Sequence, residues 1–563
     1  MRTFSLLAAI LCTIFFPNTE NLQAQTVVRG PYLQLPTQTS IFVKWRTDVS
    51  SDSKVSYGSD PNNLSMTETD AQQVSDHSVK LTGLSPFTKY YYSIGTITQT
   101  LSGPDSLHHF MTIPPSGTVQ PIRIWAIGDF GKANQTEQRV RDSYLSYTED
   151  THTDVFLWLG DNTYDNGTDQ QYQDKVFNYN YYGHVFKYMP FWPTPGNHDY
   201  ESVSPILSPT DPTTHTGPYY DIIEVPKNGE AGGVPSGYEL YYSFDYGNVH
   251  FISLNSEVGA VTSASNDWTG ANPAGGFSGS PMTQWLEQDL QANTLPWVVV
   301  YFHQPPYTKG SHDSDDFWEY YMAAMRKNFV PIFDQYKVDL VLCGHSHVFE
   351  RSYVIKGHYG VSNTYDTNTM LVDGTSGIDS LGEAYVKDLT QTGGDEGTVY
   401  VVCGSSGSLE TGAALNHPVM FTGYADKGGS YVLDVEGNRL DGKFINEDGL
   451  VLDHFTMFKG EEEDTTTFIS NFPNDIADMS IVPNPFTNET LVSFSLKKEL
   501  TVTAEIFDMA GKRIKTLFAN SAYSQGSHSF TVTKNDISSA SGVFLLRLHG
   551  GEGNLVERII RVD

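Results

Sequence analysis

Basic residues and cysteine are the two things this sequence has least of. Against 66 Asp+Glu it carries only 34 Lys+Arg, a formal net charge of −32 over 563 residues. Such a surface repels polyanions, which argues against nucleic-acid backbones and anionic membrane faces as partners. Of its 3 cysteines, Cys12 lies in an N-terminal apolar stretch, whereas Cys343 and Cys403 each end an apolar run, VDLVLC and GTVYVVC. That is the setting of a buried, inert thiol, so free thiols rather than a disulfide are expected there. Long apolar runs are also missing. No stretch beyond the leader reaches the roughly 18 uncharged apolar residues that a spanning helix needs, and no transmembrane segment is expected. What the chain does hold is 33 Tyr, 31 Phe and 49 Gly, a mixture that favours strands and turns over long helices. At about 150 residues per domain the length implies three or four domains.

Residues 1–25 read as a signal peptide. Arg2 supplies the positive start, Ser5 to Phe16 form an apolar segment too short to cross a bilayer, and cleavage is expected near Ala24 or Gln25. Cys12 follows Leu11, where a lipid-attachment motif requires a small residue, so lipidation is not expected. The expectation is a secreted or cell-surface protein.

The expected fold class is multidomain: an N-terminal β-sandwich, a central α/β domain in which a β-sandwich is flanked by helices, and a C-terminal β-sandwich. Residues 26–115 alternate short apolar runs with turn clusters such as SDPNN. In LTGLSPFTKYYYSI, Leu84, Pro86, Thr88, Tyr90, Tyr92 and Ile94 recur at every second position, and Tyr90 is spaced for a tyrosine corner. From Ile122 the pattern becomes strand–helix–strand through residues 121–458, with helices expected around 135–147, 281–292 and 316–336. Residues 459–479, with Glu461, Glu462, Glu463 and Asp464, read as a linker. Residues 480–563 return to short strands.

Five segments of the central region end apolar runs in residues that bind metal ions. They are Gly128-Asp129-Phe130-Gly131, Gly160-Asp161-Asn162-Thr163-Tyr164, Gly196-Asn197-His198-Asp199, Tyr301-Phe302-His303 and Gly344-His345-Ser346-His347. A Gly-Asp pair alone is a turn signal, and a lone His such as His303 is more often packed than ligating. Five in succession, each closing a strand, converge on one site.

This ordered set resembles the calcineurin-like metallophosphoesterases, and specifically the purple acid phosphatases, through Gly-Asp-x-Gly at 128–131 and Gly-Asp-x-x-Tyr at 160–164. The preceding β domain is similar to fibronectin type III domains and to the N-terminal domain of large plant-type purple acid phosphatases. The resemblance implies a ferric site of Asp129, Asp161, Tyr164 and His347. It implies a second, divalent site of Asp161, Asn197, His303 and His345, with Asp161 bridging. Carboxylates and a phenolate suit Fe(III); imidazoles and an amide oxygen suit Zn(II), Fe(II) or Mn(II). The ligands and a bridging hydroxide would leave the two ions a net charge of about +1, enough to hold a phosphate ester inside an acidic shell. A metal-bound hydroxide would then attack phosphorus in line.

His198 matches the family's phosphate-contacting histidine. His312, nine residues after His303, stands where the family often has a histidine pair, but its neighbour here is Asp313. His198 and His312 are the candidates for contact with the phosphate and for protonating the leaving group. The activity implied is acid phosphatase action on phosphomonoesters. The same ligands would serve a phosphodiesterase or nucleotide hydrolase, because they fix the reaction and not the leaving group. A non-enzymatic surface-binding protein is the other class of reading, and the intact ligand set argues against it. The loops 200–247 and 259–280, rich in Gly, Pro, Ser and Tyr, are expected to rim the site.

The final segment, with Val482-Pro483-Asn484-Pro485-Phe486, IFDMAGKRIKTL and SGVFLLRLHGG, resembles the C-terminal sorting domain of type IX secretion cargo. That resemblance implies the outer-membrane secretion machinery as a partner. A carbohydrate-binding or spacer sandwich is the bland alternative.

Overall fold

The computed structural model describes residues 25–149, 151–199, 217–257, 280–387, 396–460, 476–507, 513–537, 542–550 and 553–562. The signal-peptide expectation for 1–25 therefore lies outside the described residues apart from Gln25. So do 461–475 of the linker and the 200–216 and 259–279 parts of the expected rim loops. The protein is multidomain and rich in sheet. It divides into two compact units, Met1–Glu461 and Glu462–Asp563.

The first unit opens with six strands hydrogen-bonded into one sheet. Its longest member, Ser40–Gly58, pairs with Val27–Gln34 along its first half and Lys89–Gly95 along its second, while Met66–Thr82 follows it on the other edge. Leu33, Ile41, Val43, Trp45, Val55 and Tyr92 fill its core. The Tyr90 hydroxyl accepts the Ser85 N–H at 3.0 Å, the bond of a tyrosine corner. The expected alternation holds for Leu84, Tyr90, Tyr92 and Ile94, which are buried, but not for Pro86 or Thr88. Ser85 to Thr88 form the turn, with Phe87 at φ 46°, so period-two geometry starts only at Lys89.

Two seven-stranded sheets make the centre of the unit. One runs in the order Tyr385–Lys387, Val451–Lys459, Arg439–Asn446, Gly429–Glu436, Ile122–Ile127, Val155–Leu159, Phe191–Thr194. The other runs Tyr242–Tyr246, Val249–Ser253, Trp297–Tyr301, Leu340–Cys343, Val399–Cys403, Phe349–Ser352, Met420–Tyr424. The strands that end in the five motifs pair in parallel within their own sheet, so their carboxyl ends collect at one edge. The late strand Val399–Cys403 lies inside the second sheet, parallel to Leu340–Cys343. Cys343 and Cys403 are buried on these neighbouring strands and free.

Helices form over Gln135–Thr148 and Pro281–Ala292, N-capped by Asn134 and Ser280. The third expected helix starts at Tyr320 rather than Asp316, because backbone bonds Asp316 N–H to Asp313 C=O and Glu319 N–H to Asp316 C=O fold 313–319 into turns. Tyr32, Leu35 and Ile113 of the N-terminal strands belong to the same buried cluster as the central sheets.

The second unit has a three-stranded sheet (Ile476–Val482, Glu489–Leu496, Gly526–Thr533) and a four-stranded one (Arg513–Tyr523, Leu500–Phe507, Gly542–Gly550, Gly553–Arg561). Val492, Phe494, Leu496, Leu546 and Leu548 alternate with less buried positions, while Val502 to Ile506 are buried throughout. Lys459 closes a strand of the first unit and Ile476, fully buried, opens one of the second.

Candidate metal centre

Each motif places its functional side chain in the first turn after a strand. Asp129, Asp161 and His345 adopt left-handed backbone, with φ of 57°, 48° and 67°. Such residues cost on the order of 1–3 kcal/mol and persist where the surroundings over-determine them. The glycines are there for close approach. A Cβ at Gly160, itself at φ 89°, would lie 2.5 Å from His303 Nδ1, and one at Gly196 would lie 2.3 Å from Asp161 Oδ1.

Two groups of donor atoms result. In the first, the Tyr164 hydroxyl is 2.9 Å from Asp129 Oδ1 and 3.3 Å from His347 Nε2, and that nitrogen is 3.5 Å from Asp129 Oδ1. In the second, His303 Nε2 is 3.3 Å from both Asp161 Oδ1 and His345 Nδ1, and His345 Nδ1 is 3.1 Å from Asn197 Oδ1. The sheet through Ile122–Ile127 supplies Asp129, Asp161, Tyr164 and Asn197; the sheet through Trp297–Tyr301 supplies the three histidines. His303 donates Nδ1–H to the Leu159 carbonyl at 2.9 Å, which leaves Nε2 as its donor atom.

The electrostatics fit a cation. Burial lowers the pKa of His303, but Asp161 and Asp129 more than reverse this and raise it to about 10. The same charges add to burial in driving the Tyr164 phenol well up. Burial pushes Asp161 up while His303 pulls it down further, and the net shift is down. Burial keeps His345 near 4, so its imidazole is neutral and able to ligate. Packed carboxylates, imidazoles and a phenol are the donor chemistry of a metal site.

Both histidines expected to face the phosphate lie at the centre. The His198 N–H donates to Asp161 Oδ1 at 2.8 Å, its Nδ1 is 2.5 Å from the Asp165 carbonyl, and its ring is 4.6 Å from that of Tyr164. The His312 ring packs against that of His345, centroids 4.0 Å apart and planes tilted by 31°. Asp313, beside it, is drawn off by Lys309 Nζ at 2.7 Å. Asp199 binds the loops together. Its carboxylate accepts from Gly196 N–H (2.7 Å), Asn162 N–H (3.0 Å), Asn162 Nδ2 (2.9 Å) and Tyr172 hydroxyl (2.6 Å). Burial and the adjacent Asp161 raise it to about 7.

Two further acids were not legible in the sequence. Glu319 lies 2.5 Å from His312 Nδ1 and 3.4 Å from His345 Nε2; burial pushes its pKa up, but those histidines hold it down to about 2. Glu257, bonded to Ser256 and Gln304 at 2.8 Å each, is raised to about 7 by burial. Neither belongs to a motif, and Glu319 follows a turn that periodicity reads as helix.

Residues 122–349 match the calcineurin-like phosphoesterase family, and the chain carries that domain. Residues 28–112 match the purple acid phosphatase N-terminal domain, and 480–562 a secretion system C-terminal sorting domain. The chain is 28% identical to purple acid phosphatase 15 of Arabidopsis thaliana over 302 residues, 49% of each protein. It is 29% identical over 246 residues to the uncharacterized protein Rv2577 of Mycobacterium tuberculosis, covering 41% of this chain and 38% of that one. The chain thus spans about half or less of these relatives' length. In fold it is similar to the purple acid phosphatase PPD1 from yellow lupin (Lupinus luteus) seeds, with TM-score 0.56 and 18% identity over 77% of this chain and 75% of that one. A structure of PhoD follows at TM-score 0.52 and 15% identity, over 74% and 86%.

Proposed function

We propose that this protein is a secreted dinuclear-metal acid phosphatase that hydrolyses small phosphomonoesters. The two adjacent donor groups carry this reading. Asp129, Asp161, Tyr164 and His347 would hold Fe(III); Asp161, Asn197, His303 and His345 would hold Zn(II), Fe(II) or Mn(II). Such ions supply Lewis acidity toward phosphoryl oxygens and an acidified water. The chain's own residues do the rest. Asp199 ties together the loops bearing Asn162 and Gly196, which holds the backbone around Asp161 and Asn197 in place. His198 and His312 sit beside the two groups, their Nδ1 atoms engaged by the Asp165 carbonyl and by Glu319, and His198 Nε2 lies 3.9 Å from Asp161 Oδ2. Their Nε2 atoms are the ones proposed to meet a phosphoryl or leaving-group oxygen. The C-terminal sorting domain supports export by the type IX route to the surface or medium.

The test is kcat/KM for an aryl phosphomonoester and its matching diester, from acid to alkaline pH, with metal content measured on the same preparation. A monoester preference with an acid optimum is expected. Diester preference would make the enzyme a phosphodiesterase, and no turnover with both metals bound would move the function to the accessory domains.

A further inference from the structure

Glu319 stands outside both donor groups yet touches a member of one. Its two oxygens reach different histidines, Oε1 to His312 Nδ1 at 2.5 Å and Oε2 to His345 Nε2 at 3.4 Å. An ionised carboxylate only accepts, so each of these nitrogens carries the proton. Each ring is then left one nitrogen, Nε2 on His312 and Nδ1 on His345. The latter is the atom that faces Asn197 Oδ1 and His303 Nε2. The two rings lie 4.0 Å apart, tilted by 31°, so neither turns without disturbing the other.

The carboxylate is itself held. Glu319 donates its N–H to the Asp316 carbonyl at 3.1 Å and immediately precedes the helix at Tyr320. Upstream, Asp315 accepts the Ser362 N–H at 3.0 Å and an ion pair from Lys309 Nζ at 3.1 Å. The same lysine occupies Asp313, which leaves Glu319 as the carboxylate serving His312.

We propose that Glu319 is a positioning residue that sorts the nitrogens of two histidines, turning His345 Nδ1 toward the divalent ion and His312 Nε2 toward the phosphoryl group. This role rests on the metal-centre reading above. It ties a metal ligand and a substrate-facing histidine to one acid, so that removing the acid damages two separable properties.

The experiment uses the full chain and the variants E319A, E319Q, H312A and H312A/E319A. Zn(II) affinity is read by chelator competition, and kcat and KM are read at saturating metal. E319A is expected to weaken Zn(II) binding about 10–100-fold in both the native and H312A backgrounds. At saturating metal its kcat is expected to fall by about as much as that of H312A, at least tenfold or so, and the double variant should fall no further. In E319Q the amide oxygen accepts from one histidine at a time, so both properties should be partly recovered and folding preserved. Unchanged Zn(II) affinity in E319A, or multiplicative kcat losses in the double variant, would overturn the role of Glu319 and leave the metal centre standing. A native chain that binds no divalent ion would overturn the centre, and this role with it.

Discussion

Arg29 of the N-terminal sheet lies 2.9 Å from the Asp169 carboxylate, just past the turn that follows Tyr164. Arg46 reaches the same carboxylate at 2.5 and 3.0 Å, and Arg29 also donates to the Asp169 carbonyl and to Gln173. The accessory sheet therefore grips the segment that leads away from the candidate centre. Arg29 is 2% exposed, so losing its partner leaves a buried charge poorly matched. D169A is expected to cost about 2 kcal/mol, read as an earlier urea transition, and D169N less. Equal stability of D169A and the native chain would mean that the clamp is ornamental.

If Asp161 serves both donor groups, D161N should lose metal and turnover together. Elemental analysis beside a phosphatase assay checks this. Near-native metal content with near-native turnover would defeat the bridging assignment.

Phenolate ligation of Fe(III) by Tyr164 should colour the pure protein violet or pink. Y164F should abolish the absorption band while retaining some iron. An iron-loaded native protein that stays colourless after oxidation would remove Tyr164 from the site.

His250 offers a pH test away from the centre. Its Nδ1 and Nε2 lie 2.8 Å from Asp245 and Asp289. Burial lowers its pKa, but hydrogen bonds to the two carboxylates raise it from 6.5 to about 9. A group held protonated in the folded state stabilises fully below its unfolded pKa and loses that contribution as pH rises through the folded one. The difference amounts to about 3 kcal/mol. Denaturation at pH 6 and pH 10 should therefore show a native loss of this order that H250Q lacks. A flat native profile would be the contrary result.

The second unit has its own core around Val492, Val502 and Leu546. Deleting residues 462–563 should leave phosphatase activity intact and strand the protein in the periplasm. Normal secretion of the shortened chain, measured by fractionation, would count against a sorting role.

Much of the site was legible because its signals are local. A strand, a glycine and an acid or histidine are adjacent in sequence, and the parallel pairing that gathers them follows from the alternating pattern. Glu319 escaped because its partners, His312 and His345, lie on either side of a turn that mimics a helix start. The place of Val399–Cys403 in a sheet was not legible either, and only its parallel pairing with Leu340–Cys343 puts it inside the second one. Pro86 and Thr88 kept the right spacing but sit in a turn, where parity has no meaning. For Val399–Cys403 and for the Glu319–His345 contact the missing information was a partner distant in sequence; for Pro86 and Thr88 it was a local turn.

The division of donors between two sheets has a mechanical consequence. Acid, phenol and amide donors come from one sheet and imidazoles from the other, so an ion held as proposed would tie the two sheets together. Pulling the layers apart must first evict the ion, and unfolding should therefore slow and shift with metal concentration by mass action. Chelation should then destabilise the first unit and leave the second unchanged, so that metal supply would control how long the enzyme survives.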